Sequence, residues 1–256
     1  MIRTIFVPLE ISNSDEVIIR YAIELSKHFK SRLVFLKTFL PAEYAYPTSG
    51  MASIPATQEA LVLERKELHT EKINYLKSEF PSLESLEFEL KVFSGSPLDL
   101  INETAEESNS DLIVIGTSGA SGIGELFGTI AEKVTRESSC PVMVIPDEFE
   151  FRPFQKMSLA LDVDNVENRL HLNTLFHIAN SFTSSLDVVN VSENLEKADI
   201  NHNMIYNRIK NEFNENVNYF TIRILLKEDE EKAIDEYIER NNIEIFINCF
   251  FLVLFQ

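Results

Sequence analysis

Leu112-Ile-Val-Ile-Gly116-Thr-Ser-Gly119-Ala-Ser-Gly122-Ile-Gly124-Glu-Leu-Phe-Gly128-Thr129 opens as a wholly apolar run and breaks into a glycine-rich segment. A short strand without a polar residue is what a parallel sheet covered on both faces requires. Glycine tolerates positive φ and lets the backbone come close to a bound group. A glycine-rich turn between the carboxyl end of such a strand and a helix N-terminus gathers free N–H groups and the positive end of the helix dipole, which together suit an anion. Open α/β sheets bind ligands at that edge. The chain has seven glycines, none beyond residue 128, and five of them fall within residues 116–128. One or two would serve a tight connection; five in so short a stretch point to phosphate binding.

Outward from this segment, short β-branched runs alternate with longer amphipathic stretches, the pattern of βαβ units and a parallel sheet. Upstream, strands are predicted over 2–8, 33–39 and 86–93. Helices are predicted over 14–29, 59–80 and 98–108, the first from Val17, Ile18, Tyr21, Ala22, Leu25 and Phe29 at helical spacing. Ser96-Pro97 reads as the cap and first turn of the third. Residues 44–58 form a loop rich in Pro, Ser and Ala, and downstream a helix over 129–138 leads to a strand over 142–145.

The order then restarts after a linker near 148–153. Strands over 157–162, 186–191, 219–226 and 243–247 alternate with helices over 167–182, 198–215 and 230–241. Two copies of one unit are therefore expected, 1–147 and 154–256. The second copy has no glycine with which to build an equivalent loop. Beyond residue 248 it leaves only Cys249-Phe-Phe-Leu-Val-Leu-Phe-Gln256, too little for a loop, a helix and a fifth strand. That apolar end reads as a terminal strand and the second copy as truncated.

Apolar residues make up 45% of the 256, charged residues 25%, and the formal net charge is −18. So acidic a chain is repelled by nucleic-acid phosphates and anionic lipid, which argues against both as partners. The start MIRTIFVPLE has no secretory pattern, and the most apolar segment, 243–255, is shorter than a membrane span. Cys140 and Cys249 form no C-x-x-C, consistent with a reducing compartment. A cytoplasmic protein is the expectation.

The stretch Gly116-Thr-Ser-Gly119, then Gly128-Thr129-Ile130, then Cys140-Pro-Val-Met-Val-Ile145 is similar to a pattern of the universal stress protein family: Gly-x2-Gly-x9-Gly-Ser/Thr followed by Cys/Ala-Pro-Val-hydrophobic. The opening Val7-Pro8-Leu9-Glu10-Ile11-Ser12 resembles that family's Val-Pro-x-Asp-x-Ser. The likeness covers residues 1–146, and 155–247 by element order alone. Two details depart from the pattern: eight residues separate Gly119 from Gly128, and Glu10 stands for the aspartate. The resemblance implies two tandem open-sheet parallel α/β domains, of the adenine nucleotide alpha hydrolase-like type. It implies an adenine nucleotide, ATP or AMP with or without magnesium, in the first. Pro8, Leu9 and Glu10 would border base and ribose, and Thr38 and Ile115 would flank the adenine. Gly116, Ser118, Gly119, Gly128, Thr129 and Ile130 would line the phosphates. It further implies a regulatory, stress-response role and a homodimer, through the strand at 141–145 or the apolar C-terminal residues.

Two alternatives stay open: a scaffold of the same fold that binds no nucleotide, and a slow ATPase. No residue set for catalysis and no metal site is found. His171 and His177 are six apart and share no helical face as ligands, Gly-x-Ser-x-Gly is absent, and no Gly-Lys-Ser/Thr follows the glycine segment.

Overall fold

The computed structural model describes residues 1–9, 14–39, 58–117, 129–146, 150–161, 172–213, 220–227, 229–248 and 251–254. The chain divides into two units, Met1–Phe151 and Arg152–Gln256. Each is an open α/β sheet.

In the first unit the strands are β1 (Thr4–Leu9), β2 (Arg32–Phe39), β3 (Phe88–Ser94), β4 (Leu112–Gly116) and β5 (Val142–Ile145), in the order β3-β2-β1-β4-β5. All four pairings are parallel. All six residues of β1 and the first four of β4 are buried, which is why the inner strands carry apolar side chains on both faces. The helices are α1 (Ser14–Phe29), α2 (Gln58–Glu79), α3 (Pro97–Glu107) and α4 (Thr129–Glu137). Asp15 and Glu16 in the first turn of α1, and Lys27 and His28 in its last, complement the helix dipole. The expected strand start at 86 is displaced: Pro81 stops α2 and opens a 3-10 turn, Pro81–Ser85, so that β3 begins at Phe88. Ser96 occupies the N-cap position of α3, but its side chain makes no capping hydrogen bond.

The second unit comprises β6 (Lys156–Ala160), α5 (Leu172–Phe182), β7 (Ser185–Ser192), α6 (Leu195–Phe213), β8 (Phe220–Leu226), α7 (Glu230–Asn241), β9 (Ile245–Asn248) and β10 (Phe251–Leu254). Its strand order is β10-β9-β6-β7-β8. At the start of α7, Asp229 accepts a hydrogen bond from the Lys232 N–H at 3.1 Å and caps the helix. The apolar C-terminal residues form a strand, but β10 runs antiparallel to β9. Where the first unit continues from β4 through the glycine segment and α4 to a parallel β5, the second turns straight back on itself. A fifth strand is thus present without a crossover.

The two units share one hydrogen-bond plan at the amino-terminal ends of their strands. Asp111, just before β4, accepts from the backbone N–H groups of Arg3 and Thr4 at 2.8 and 3.0 Å. Glu244, just before β9, does the same for Gln155 and Lys156 at 2.6 and 3.0 Å. The Ser31 hydroxyl donates to the Ile2 carbonyl at 2.8 Å, and that of Ser184 to the Phe154 carbonyl at 2.6 Å. Left-handed residues precede the same strands: Lys30 (φ 57°) and Thr183 (58°), Asn109 (50°) and Asn242 (51°). These matches set Thr4 against Lys156 and Pro8 against Ala160.

Cys140 leads into β5, buried, with its thiol donating to the Ser110 carbonyl at 3.1 Å. Burial, and then the negative charge of Asp111, push the thiol up to about 12, against a smaller lowering by a backbone hydrogen bond from Ile113. A folded-state value above the unfolded one makes this thiol's contribution to stability complete below pH 9 and lost as pH climbs toward 12. Alkylation of the native protein at pH 8, mapped by peptide, is expected to leave Cys140 unmodified while denaturant exposes it. The shift lowers its thiolate fraction about a thousandfold. Equal labelling with and without denaturant would contradict this environment.

Candidate functional site

The chain runs from β1 to β2 and β3 on one side and places β4 and β5 on the other, so the strand order reverses between β1 and β4. A crevice outside the carboxyl ends of strands at such a reversal is the usual ligand position of open α/β sheets. The register aligns the strand ends there. Leu9 lies beside Lys37, Thr38 beside Phe93, and Gly116 beside Ile145. The predicted residues Pro8, Leu9, Thr38, Ile115 and Gly116 are thereby brought to one edge by three neighbouring strands. Thr38 is half-buried; Leu9 and Ile115, 2% and 4% exposed, are packed into the sheet. Thr129 opens α4 and Ile130 follows it, half-buried. Glu10, Ser118, Gly119 and Gly128 lie outside the described residues.

Gly116 has a packing reason as well as a chemical one. A Cβ there would stand 2.4 Å from Cδ1 and 3.0 Å from Cγ1 of Ile18 on α1. Its missing side chain lets α1 settle onto β4. The next residue, Thr117, is buried and donates its N–H to the Ile145 carbonyl at 3.1 Å, extending the β4–β5 ladder past the strand end.

Three contributors were not legible in the sequence. Lys37, the lone cation among the apolar residues 33–39, is only 7% exposed and sits in register beside Leu9. Asp15, 3% exposed in the first turn of α1, pairs with Lys72 of α2 at 3.2 Å, and Lys72 also lies over the Tyr75 ring at 4.7 Å. Gly95 has φ 150° and donates its N–H to the Phe39 carbonyl at 3.2 Å, closing β3 against β2. A polar residue inside an apolar run is the signal that could have found Lys37. The partners of Asp15 and Gly95 are more than fifty residues away in sequence and leave no local trace.

Among the described residues there is no group of three or more metal-ligating side chains, and no helix is long and apolar enough to cross a membrane. A cleft of about 670 Å³ lies elsewhere, lined by Tyr21 and Arg20 of α1, by Phe80 and by Phe151, and includes none of the strand-end residues. The strand ends at the reversal between β1 and β4 remain the candidate, on the usual ligand position of open α/β sheets.

The sequence model of the universal stress protein family matches residues 1–146. A universal stress protein of Methanocaldococcus jannaschii is 26% identical over 149 residues, which cover 56% of this chain and 81% of that protein. One from Bacillus subtilis is 27% identical over 149 residues, 57% of this chain and 99% of its own length. The crystal structure of a universal stress protein from Archaeoglobus fulgidus superposes with a TM-score of 0.69 at 17% identity, covering 96% of this chain and 86% of that one. That structure shares the fold over nearly the whole chain, second unit included.

Proposed function

The chain belongs to the universal stress protein family, and from that premise we propose that its first unit binds an adenine mononucleotide and serves a regulatory role in stress response. The observation that carries the proposal is the convergence of Leu9, Thr38 and Gly116 at the reversal between β1 and β4, directly followed in sequence by the glycine-rich segment. Pro8, Leu9 and Glu10 would border base and ribose, with Thr38 and Ile115 beside the adenine. The backbone N–H groups of Gly116, Ser118, Gly119, Gly128, Thr129 and Ile130, with the hydroxyls of Ser118 and Thr129, would take the phosphates at the start of α4. The second unit, without glycine and turning back at β10, offers no such segment. One nucleotide per chain is expected.

Thermal unfolding with ATP, AMP and cyclic AMP, each with and without magnesium, tests this directly. A ligand held only by the folded state stabilises it by about 2.7 kcal/mol at a hundredfold excess over its dissociation constant. The rise in midpoint is expected for at least one nucleotide and is expected to vanish in Gly119→Val, whose side chain would block backbone approach. The eight-residue spacing between Gly119 and Gly128 favours one other reading, a scaffold without nucleotide. No shift with any nucleotide would establish that reading instead.

A further inference from the structure

We infer that Pro8 is what opens the crevice: it withholds the hydrogen bond that would zip the carboxyl ends of β1 and β4 together, and so keeps a ligand position between them. In a parallel ladder, successive residues turn their N–H and C=O groups to alternate neighbours. The Arg3 carbonyl accepts from Arg32, at the start of β2, and the Thr4 carbonyl accepts from Asp111, at the start of β4. Odd residues of β1 therefore face β2, and even residues, Pro8 among them, face β4. The β1–β2 register runs to the end of the strand at Leu9↔Lys37, whereas the β1–β4 register consists of Ile5↔Leu112 and Phe6↔Ile113. The next bridge, Val7 with Val114, would need the N–H of residue 8 to reach the Val114 carbonyl. Proline has no N–H.

The second unit supplies the internal control. The position matching Pro8 is Ala160, and there the equivalent bridge is made, Leu159↔Ile247. Proline within a central strand is unusual because it costs a ladder hydrogen bond. Here the lost bond falls where the strand order of the first unit reverses, in the unit that carries the glycine segment. The same chain closes the corresponding strand ends in the unit without it.

The inference rests on the nucleotide site proposed above, and its test separates the two. Pro8→Ala and Pro8→Val both restore an N–H, and valine also keeps apolar bulk at the rim. Amide hydrogen exchange at residue 8 reads the ladder, and titration with ATP reads the site. Protection of the new amide, an unchanged or higher melting temperature and at least a tenfold loss of ATP affinity in both variants is the expected result. An unprotected amide, or a protected one with affinity intact, overturns the inference. If the unsubstituted protein binds no nucleotide, the site proposal fails while the exchange measurement still decides whether Pro8 holds the strands apart.

Discussion

Gly116→Val is expected to destabilise the first unit by about 3 kcal/mol, the upper range of the usual penalty for overpacking a core. The added Cβ would lie 2.4 Å from the Ile18 Cδ1. Ile18 is 5% exposed, so turning its Cδ1 aside pushes it against packed neighbours. Either α1 lifts from β4 or the strand end bends, and both move the edge at which Leu9 and Gly116 meet. The companion Ile18→Ala removes the obstructing atoms, so the double variant is expected to be more stable than the sum of the single changes predicts. Contacting residues are where such non-additivity appears. Denaturant unfolding of the four proteins measures it. A Gly116→Val protein within about 0.5 kcal/mol of the parent, the ordinary range for surface changes, would mean that the close approach of α1 does not require glycine.

Asp111→Ala is expected to cost about 2–3 kcal/mol. One carboxylate oxygen receives two backbone N–H groups, at 2.8 and 3.0 Å, and hydrogen bonds to charged groups are individually worth about 1.5–3 kcal/mol. The Arg3 N–H is exposed and recovers water when the carboxylate is removed, which holds the total below twice that value. Asp111→Asn keeps an acceptor oxygen and is expected to lose less than half as much. Glu244→Ala should reproduce the effect in the second unit, because Glu244 holds Gln155 and Lys156 in the same way. The two changes lie in separate units and are expected to add. Calorimetry of the single and double variants decides it. Should Asp111→Ala prove near neutral while Glu244→Ala is costly, the clamps would not be equivalent and the repeat would be one of shape alone.

Much of the fold was legible in the chain. Apolar runs such as 112–115 and the helical spacing from Val17 to Phe29 gave element type and order, since local periodicity reports which faces are buried. Helix α1 and strand β5 fall at their predicted limits. The clustering of five glycines marked the edge where a ligand would sit, because backbone freedom is a property of residue type. The duplication was visible as a repeated element order. Errors came where a local interaction competed with periodicity, as with Pro81 and the 3-10 turn that shortens β3.

What the sequence determined by itself, then, is the α/β class and the tandem repeat, and it pointed to the strand end at which the site is proposed. Only the tertiary structure decided that residues 251–254 return antiparallel to β9, and that a Cβ at position 116 would meet Ile18. It also decided that Asp111 and Glu244 fasten the first strand of each unit, and that Pro8 faces β4. These depend on which neighbour a backbone group turns toward and on contacts that reach about a hundred residues along the chain. Strand pairing and register set both, and no local pattern of residues carries that information.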